Sequence, residues 1–197
     1  IVNCVTPVIT STANQTLNTD AGLCSAVATY TVSATGIPAA DLTYTMNGAT
    51  IASGSGTGDG TAFNKGVTTV TVTATNICGT ASATFTVTVE DHEAPVIVGT
   101  PSAVTKSNDP DVCGAVVTWE VSVTDNCTAT LSSDYNSGDV FPIGVTVVHF
   151  TAIDASGNMS NSSFTITVTD DQAPIITVPD NIAHSANEGV CSYTFGS

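Results

Sequence analysis

The feature that most constrains this chain is a repeat. TPVIT at 6–10, APVIV at 94–98 and APIIT at 173–177 align on Pro7, Pro95 and Pro174, which lie 88 and 79 residues apart. A cysteine follows each proline at nearly fixed distance: Cys24 after 17 residues, Cys113 after 18 and Cys191 after 17. An alternating run follows each cysteine (CSAVATYTV, CGAVVTWEV, CSYTF). Further along, FNKGVTTVTVTAT at 63–75 repeats as FPIGVTVVHFTAI at 141–153, a constant offset of 78. A period of this size means tandem modules, each small enough to hold one core. The expected organisation is a first repeat over 1–93, whose first residues are the tail of a preceding one, a second over 94–172, and the N-terminal part of a third over 173–197. A chain that opens and closes inside repeats reads as part of a longer array.

Each repeat is punctuated as an all-β antiparallel sandwich. Val and Thr dominate the regular stretches, and no stretch carries a helical period. In the second repeat, strands are expected over 96–98, 115–121, from Leu131, and in a hairpin of 145–153 and 163–169. Asn108-Asp109-Pro110, Asn136-Ser137-Gly138-Asp139 and the 154–158 segment supply turn chemistry. Alternation puts Val148, Phe150 and Ala152 inside and Val147, His149 and Thr151 outside. The first repeat keeps the inward set as Val70, Val72 and Ala74, and Phe85, Val87 and Val89 match Phe164, Ile166 and Val168. Trp119 aligns with Tyr30 as the expected central core aromatic. The stretch SGSGTGDG at 53–60 reads as a Gly/Ser hairpin loop.

Charge excludes several function classes. Lys and Arg number 2 against 17 Asp and Glu, a formal net charge of −15. Such a surface repels nucleic acid and anionic lipid, because phosphate binding needs basic side chains, and it favours cations. No apolar run approaches the roughly 20 residues of a membrane-spanning helix, so no direct membrane insertion is expected. His92, His149 and His184 stand far apart with no metal-protease spacing, and no nucleophile elbow precedes a helix. No enzyme is expected. Six cysteines without a CxxC pair argue for disulfides in an oxidising compartment.

The second repeat carries Asp125-Asn126-Cys127, Phe141-Pro142-Ile143-Gly144 and Asp154-Ala155-Ser156-Gly157-Asn158, and closes on FTITV. These motifs resemble the hyalin repeat (HYR), an immunoglobulin-like module of extracellular proteins. The first repeat is a divergent copy, with Gly36-Ile37-Pro38 at the Asp-Asn-Cys position and Asn76-Ile77-Cys78-Gly79 for Asp-Ala-Ser-Gly. The resemblance implies tandem immunoglobulin-like β-sandwiches, two complete plus the start of a third. It implies an extracellular or cell-surface adhesin, acting as stalk or spacer. Similar arrays occur in secreted and gliding-motility surface proteins of Bacteroidetes bacteria, exported in that case by a type IX-like route. The alternative is an accessory or carbohydrate-binding module pair of a secreted enzyme, whose sign would be exposed coplanar aromatics. Expected partners are neighbouring repeats and a surface, glycan or protein ligand that the sequence does not identify.

The resemblance also implies a staple from the cysteine before the second strand to the Asp-Asn-Cys cysteine, here Cys113–Cys127. In the first repeat Cys24–Cys78 would substitute, leaving Cys4 to pair upstream and Cys191 downstream. Geometry keeps a rival open: a seven-residue strand spans about 23 Å, so Cys127 would have to fold back to reach Cys113. A linker and a hairpin tip share one end of a sandwich, which favours Cys4–Cys78. The same topology gathers Asp91 and Glu93 of the linker toward Asp125, Asn126, Asp154 and Asn158. Converging carboxylate and amide oxygens are calcium ligands, and the first repeat lacks acids in both linker and loops. Solvated turn residues are the competing reading.

Overall fold

The structure, a computed structural model, describes residues 3–178, 185, 186, 188 and 189. Among these the regular elements are all strands. The first module contains β1 (Val5–Thr10), β2 (Gln15–Asn18), β3 (Ser25–Val27), β4 (Ser33–Ile37), β5 (Asp41–Gly48), β6 (Ala52–Ser55), β7 (Ala62–Asn64), β8 (Gly66–Asn76) and β9 (Gly79–Glu90). The second contains β10 (Val96–Val98), β11 (Val104–Ser107), β12 (Gly114–Val116), β13 (Ser122–Thr124), β14 (Ala129–Ser133), β15 (Val140–Pro142), β16 (Gly144–Asp154) and β17 (Met159–Thr169).

Both modules are tandem immunoglobulin-like sandwiches built on one plan. In the first, one layer orders β2-β9-β8-β5-β6, and the other consists of the pairs β1-β4 and β3-β7. In the second, the layers are β11-β17-β16-β14 and the pairs β10-β13 and β12-β15. The opening segment of each module divides between layers: β1 runs antiparallel to β4, while β2 runs parallel to β9, as β11 does to β17. The central hairpins β8-β9 and β16-β17 bury every second residue. Val70, Val72, Ala74, Val148, Phe150 and Ala152 are all buried, and the Val and Phe residues among them join Phe85, Val87, Val89 and Phe164, Ile166, Val168 of the adjacent strand in two separate cores. Each such Val, Ile or Phe side chain contributes roughly 1.5–3 kcal/mol on burial. Modules of this size bury too little surface to rely on that alone, which gives covalent staples their value.

The strand expected over 115–121 is interrupted. Its start pairs with β15 and its continuation, as β13, with β10. Between them the backbone meets a turn, so its polar groups are satisfied individually. Gly138 N donates to Val117 O at 2.8 Å, and Ser137 Oγ both accepts from Trp119 N and donates to Trp119 O, each at 2.8 Å. The first module does the same with its Gly-rich loop: Gly60 N reaches Ala28 O at 3.0 Å and Tyr30 N reaches Asp59 Oδ1 at 2.6 Å. Gly58 in that loop has φ +76°, a left-handed backbone that favours glycine, and a Cβ there would stand 2.7 Å from Met46 Cε and 2.9 Å from Tyr44 Cδ2.

The two aromatic centres differ in chemistry. Trp119 packs edge-on to Phe164 and Phe150, with centroids 5.4 and 6.4 Å away, and tilted against Phe141 at 5.9 Å. Tyr30 packs on Phe85 at 4.8 Å and donates its hydroxyl proton to Thr57 O at 3.0 Å. Burial, with the nearby Asp59 and Tyr44, pushes the Tyr30 phenol up to about 12. The third repeat's expected strand CSYTF and Cys191 lie outside the described residues. Of its opening, Ile175, Ile176 and Val178 are exposed.

Candidate functional site

The cysteines define the site. Cys24 bonds Cys127, joining the first module to the second with a Cα–Cα distance of 4.8 Å. Cys4 bonds Cys78 at 5.8 Å, and Cys113 is exposed without a partner among the described residues. The expected Cys113–Cys127 and Cys24–Cys78 pairs are therefore replaced, and the rival Cys4–Cys78 is the one formed. The reason is axial. The cysteine that precedes β3 or β12 sits at the far end of its module, whereas Asp-Asn-Cys sits at the near end. A disulfide needs Cα atoms within about 7 Å, so Cys127 meets the far-end cysteine of the preceding module instead of its own.

Around this bond the second module inserts a loop into the first. Asn126 Nδ2 donates to Thr19 Oγ1 at 3.3 Å, Leu23 O at 3.2 Å and Asp91 Oδ1 at 3.2 Å. Asp91, in the linker, has a fully buried side chain and accepts from Glu93 N and from Ser156 Oγ at 3.1 Å. Asn158 Nδ2 donates to Asp91 O at 3.1 Å and to Asp154 Oδ2 at 2.8 Å. Asp154 Oδ1 closes the hairpin turn by accepting from Ser156 N and Asn158 N. Burial opposes ionisation of Asp154, but the hydrogen bonds from Asn158, Ser156 and Gly157 outweigh it and hold its carboxyl below the usual range.

Of the six residues expected to converge, the structure draws together Asp91, Asp125 and Asp154, which offer carboxylate oxygens within 4.8 Å of one another. Asn126 joins them. Its Oδ1, like Asp125 Oδ1, is buried with no hydrogen-bond partner. Asn158 joins as a proton donor. Glu93 does not: its Oε2 accepts from Gly22 N at 3.3 Å, outside the carboxylate triad. His92 pairs with Glu90 at 3.3 Å on the exposed side of the linker. The sequence reading missed Lys65, whose Nζ lies 3.7 Å from Asp91 Oδ2 and 2.5 Å from Ser156 Oγ. The available signal was the alignment of Asn64-Lys65-Gly66 with Pro142-Ile143-Gly144: one of two basic residues in the chain falls at a joint.

Residues 90–168 match the family profile of the HYR domain. The chain is 43% identical over 129 residues to hyalin of Lytechinus variegatus, a match covering 61% of this chain and 24% of that protein. It is 37% identical over 129 residues to hyalin of Strongylocentrotus purpuratus, covering 61% of this chain and 11% of the relative. The chain thus spans a quarter or less of these relatives. Among solved structures it is similar to the titin domains z1z2 in complex with telethonin, at 17% identity and TM-score 0.44, covering 87% of this chain and all of that one. It is also similar to human protocadherin-24 EC1-2, at 15% identity and TM-score 0.36, covering 87% of this chain and all of that one. Among the described residues no helix is long and apolar enough to cross a membrane. The second module is thus similar to an HYR domain, and with hyalins among its relatives and disulfides formed within and between its modules the chain is extracellular.

Proposed function

We propose that this chain is a stiff stalk or spacer segment of an adhesion-related extracellular array, holding neighbouring modules at a fixed angle. The observation that carries this reading is the Cys24–Cys127 bond, because a covalent link outside the peptide linker removes the bending freedom two tethered modules ordinarily have. Neighbouring repeats are the immediate partners, and the array would present a surface, glycan or protein ligand contact elsewhere. The relatives are animal proteins, which favours an animal extracellular layer over a bacterial gliding surface. The accessory-module alternative gains no support: Trp119 is packed among phenylalanines, and Tyr135 is the large exposed aromatic among the described residues. Small-angle scattering of the oxidised and reduced protein tests stiffness. A single narrow distance distribution that broadens on reduction is expected. A broad distribution in the oxidised protein would overturn the reading.

Calcium fits the same joint. Asp91, Asp125, Asp154 and the Asn126 carbonyl would hold it, and two of those oxygens are buried without a proton donor. Lys65 supplies one positive charge against three carboxylates, leaving a deficit that a divalent ion would fill. The ion would neutralise repelling acids and stiffen the linker. Calorimetric titration should register calcium binding, and chelator should lower the melting temperature. No heat and no chelator effect would sink the metal while leaving the disulfide-locked stalk standing.

A further inference from the structure

The far end of the second module repeats, bond for bond, the far end of the first that receives Asn126 and Cys127. Thr19 N donates to Glu90 O at 2.9 Å, as Asn108 N does to Thr169 O at 2.9 Å. Asp20 N reaches Ser25 O at 2.8 Å, and Asp109 N reaches Gly114 O at 2.7 Å. Leu23 N donates to Asp20 O, and Val112 N to Asp109 O. The Asp20 carboxylate accepts from Val27 N, and the Asp109 carboxylate from Val116 N. In the linkers, Glu93 N turns onto Asp91 Oδ1 at 3.2 Å and Gln172 N onto Asp170 Oδ1 at 3.1 Å. Even the cross-linker contact recurs, Gly22 N to Glu93 and Asp111 N to Gln172.

At the first far end this frame is filled by the Asp-Asn-Cys loop. At the second it surrounds a cavity of about 560 Å³ bordered by Asn108, Val112, Cys113, Asp170, Gln172 and Pro174. The Val112 carbonyl, counterpart of the Leu23 carbonyl that takes Asn126, meanwhile accepts from the Asn108 amide at 3.1 Å. We infer that this cavity is the receptor for an Asp-Asn-Cys loop of a further HYR module, which places its asparagine amide on Val112 O and Asp170 and its cysteine on Cys113. The bond forms as two thiols give up two protons and two electrons to an oxidised dithiol enzyme of the secretory route, which is reduced in turn. Cys113 is then one half of a module-to-module staple that repeats along the array. The inference rests on the joint geometry and is independent of calcium.

Disulfide mapping of the protein isolated at full length from its own source tests this. Free thiols are alkylated first, and the protein is cut with pepsin without reduction, since residues 1–197 hold only two basic residues for trypsin. The expected product joins the Cys113 peptide to an Asp-Asn-Cys-type peptide from outside residues 1–197, and no alkylated Cys113. Alkylated Cys113, or a bond from Cys113 to Cys191 or to a cysteine of another kind of segment, overturns it. The Cys24–Cys127 peptide in the same digest is the internal reference, so failure of the inference is distinguishable from failure of the stalk reading. A Cys113→Ser protein should expose one new alkylatable thiol, on the loop, with Cys24–Cys127 intact; no new thiol would also overturn the inference.

Discussion

The near end of the first module closes on itself, whereas the near end of the second closes on its neighbour. In the first, Cys78 at the hairpin tip bonds Cys4 of its own leading segment, and Asn76 Nδ2 donates to Val5 O and Pro38 O at 2.9 Å each. In the second, the structural counterpart of Asn76 is Asp154, and the tip reaches across to Asp91 and Lys65. The loops differ in step. Gly36 replaces Asp125, and a Cβ there would stand 3.0 Å from Asn76 Nδ2 and 3.4 Å from Pro7 Cα, so the leading strand packs where a carboxylate would go. One scaffold position therefore serves either inward or outward closure. The choice is set by a few coupled side chains: a cysteine on the tip with a neutral amide, or a cysteine on the loop with acids.

Breaking the two staples should separate these roles most strongly. Cys127→Ser, with Cys24 also replaced by Ser, should cost roughly 2–4 kcal/mol and lower the transitions of both modules, because both lose the bond they share. Cys78→Ser paired with Cys4→Ser should lower the first module's transition alone. Trp119 fluorescence, which reports the second module because the chain has a single Trp, should stay unmoved by that second pair. Equal effects on Trp119 from both pairs would mean that the joint transmits stability without the inter-module bond.

Each module should also show its own pH response. The Tyr30 phenol is pushed up to about 12 in the folded state, above its ordinary value near 10. Its stabilisation is complete below about pH 10 and is lost as pH rises through about 12. Trp119, in the same place, does not titrate. Three carboxylates of the second module are held below their usual range: Asp109 by the Val116 amide and Lys106, Asp134 by the His149 ring and amide, and Asp154 as described. Their stabilisation is present above the ordinary carboxylate value near 4 and fades as pH falls through the lowered folded values. Alkaline titration should therefore weaken the first module as pH passes from about 10 to about 12, and acid should weaken the second module's turns at Asp109, Asp134 and Asp154. Tyr30→Phe should remove the alkaline step at a cost of about 1 kcal/mol for the lost hydrogen bond to Thr57. An alkaline transition that survives in Tyr30→Phe would assign it to another group.

Legibility in the sequence followed the range of the interaction. The hairpins β8-β9 and β16-β17 and their inward residues were readable because alternation is a local signal repeated over eleven or twelve residues. The β12–β13 break was not, because it depends on where a turn from another part of the chain meets the strand. The convergence of Asp91, Asp125 and Asp154 followed from topology, but Glu93 left the group because its carboxylate lies nearer the Gly22 amide. Of the cysteine pairs, the rival Cys4–Cys78 is formed, and the two preferred pairs give way to Cys24–Cys127 for a larger reason. The family resemblance implies a staple inside the second module, although the roughly 23 Å span of a seven-residue strand already argues that Cys113 and Cys127 lie at opposite ends. Pairing across a joint was the reading that distance demanded.

The finest contrast is between Asn76 and Asp154, and exchanging them should not be symmetric. Asn76→Asp replaces a donor to two carbonyls with an oxygen facing Val5 O and Pro38 O, leaving both acceptors without their proton. That should cost about 1–3 kcal/mol. Asp154→Asn keeps one oxygen for the Ser156 and Asn158 amides but turns an NH₂ toward Asn158 Nδ2, losing one charge-assisted bond. It also removes one of three clustered negative charges, which offsets part of the loss. The net change should be smaller, about 1 kcal/mol or less at low salt. Its clearest sign is therefore not its size. The stability of the unaltered joint should rise with salt as repulsion among Asp91, Asp125 and Asp154 is screened, and Asp154→Asn should flatten that rise. An unchanged salt slope in the variant would mean that Lys65 already neutralises the cluster and that the acids do not strain the joint.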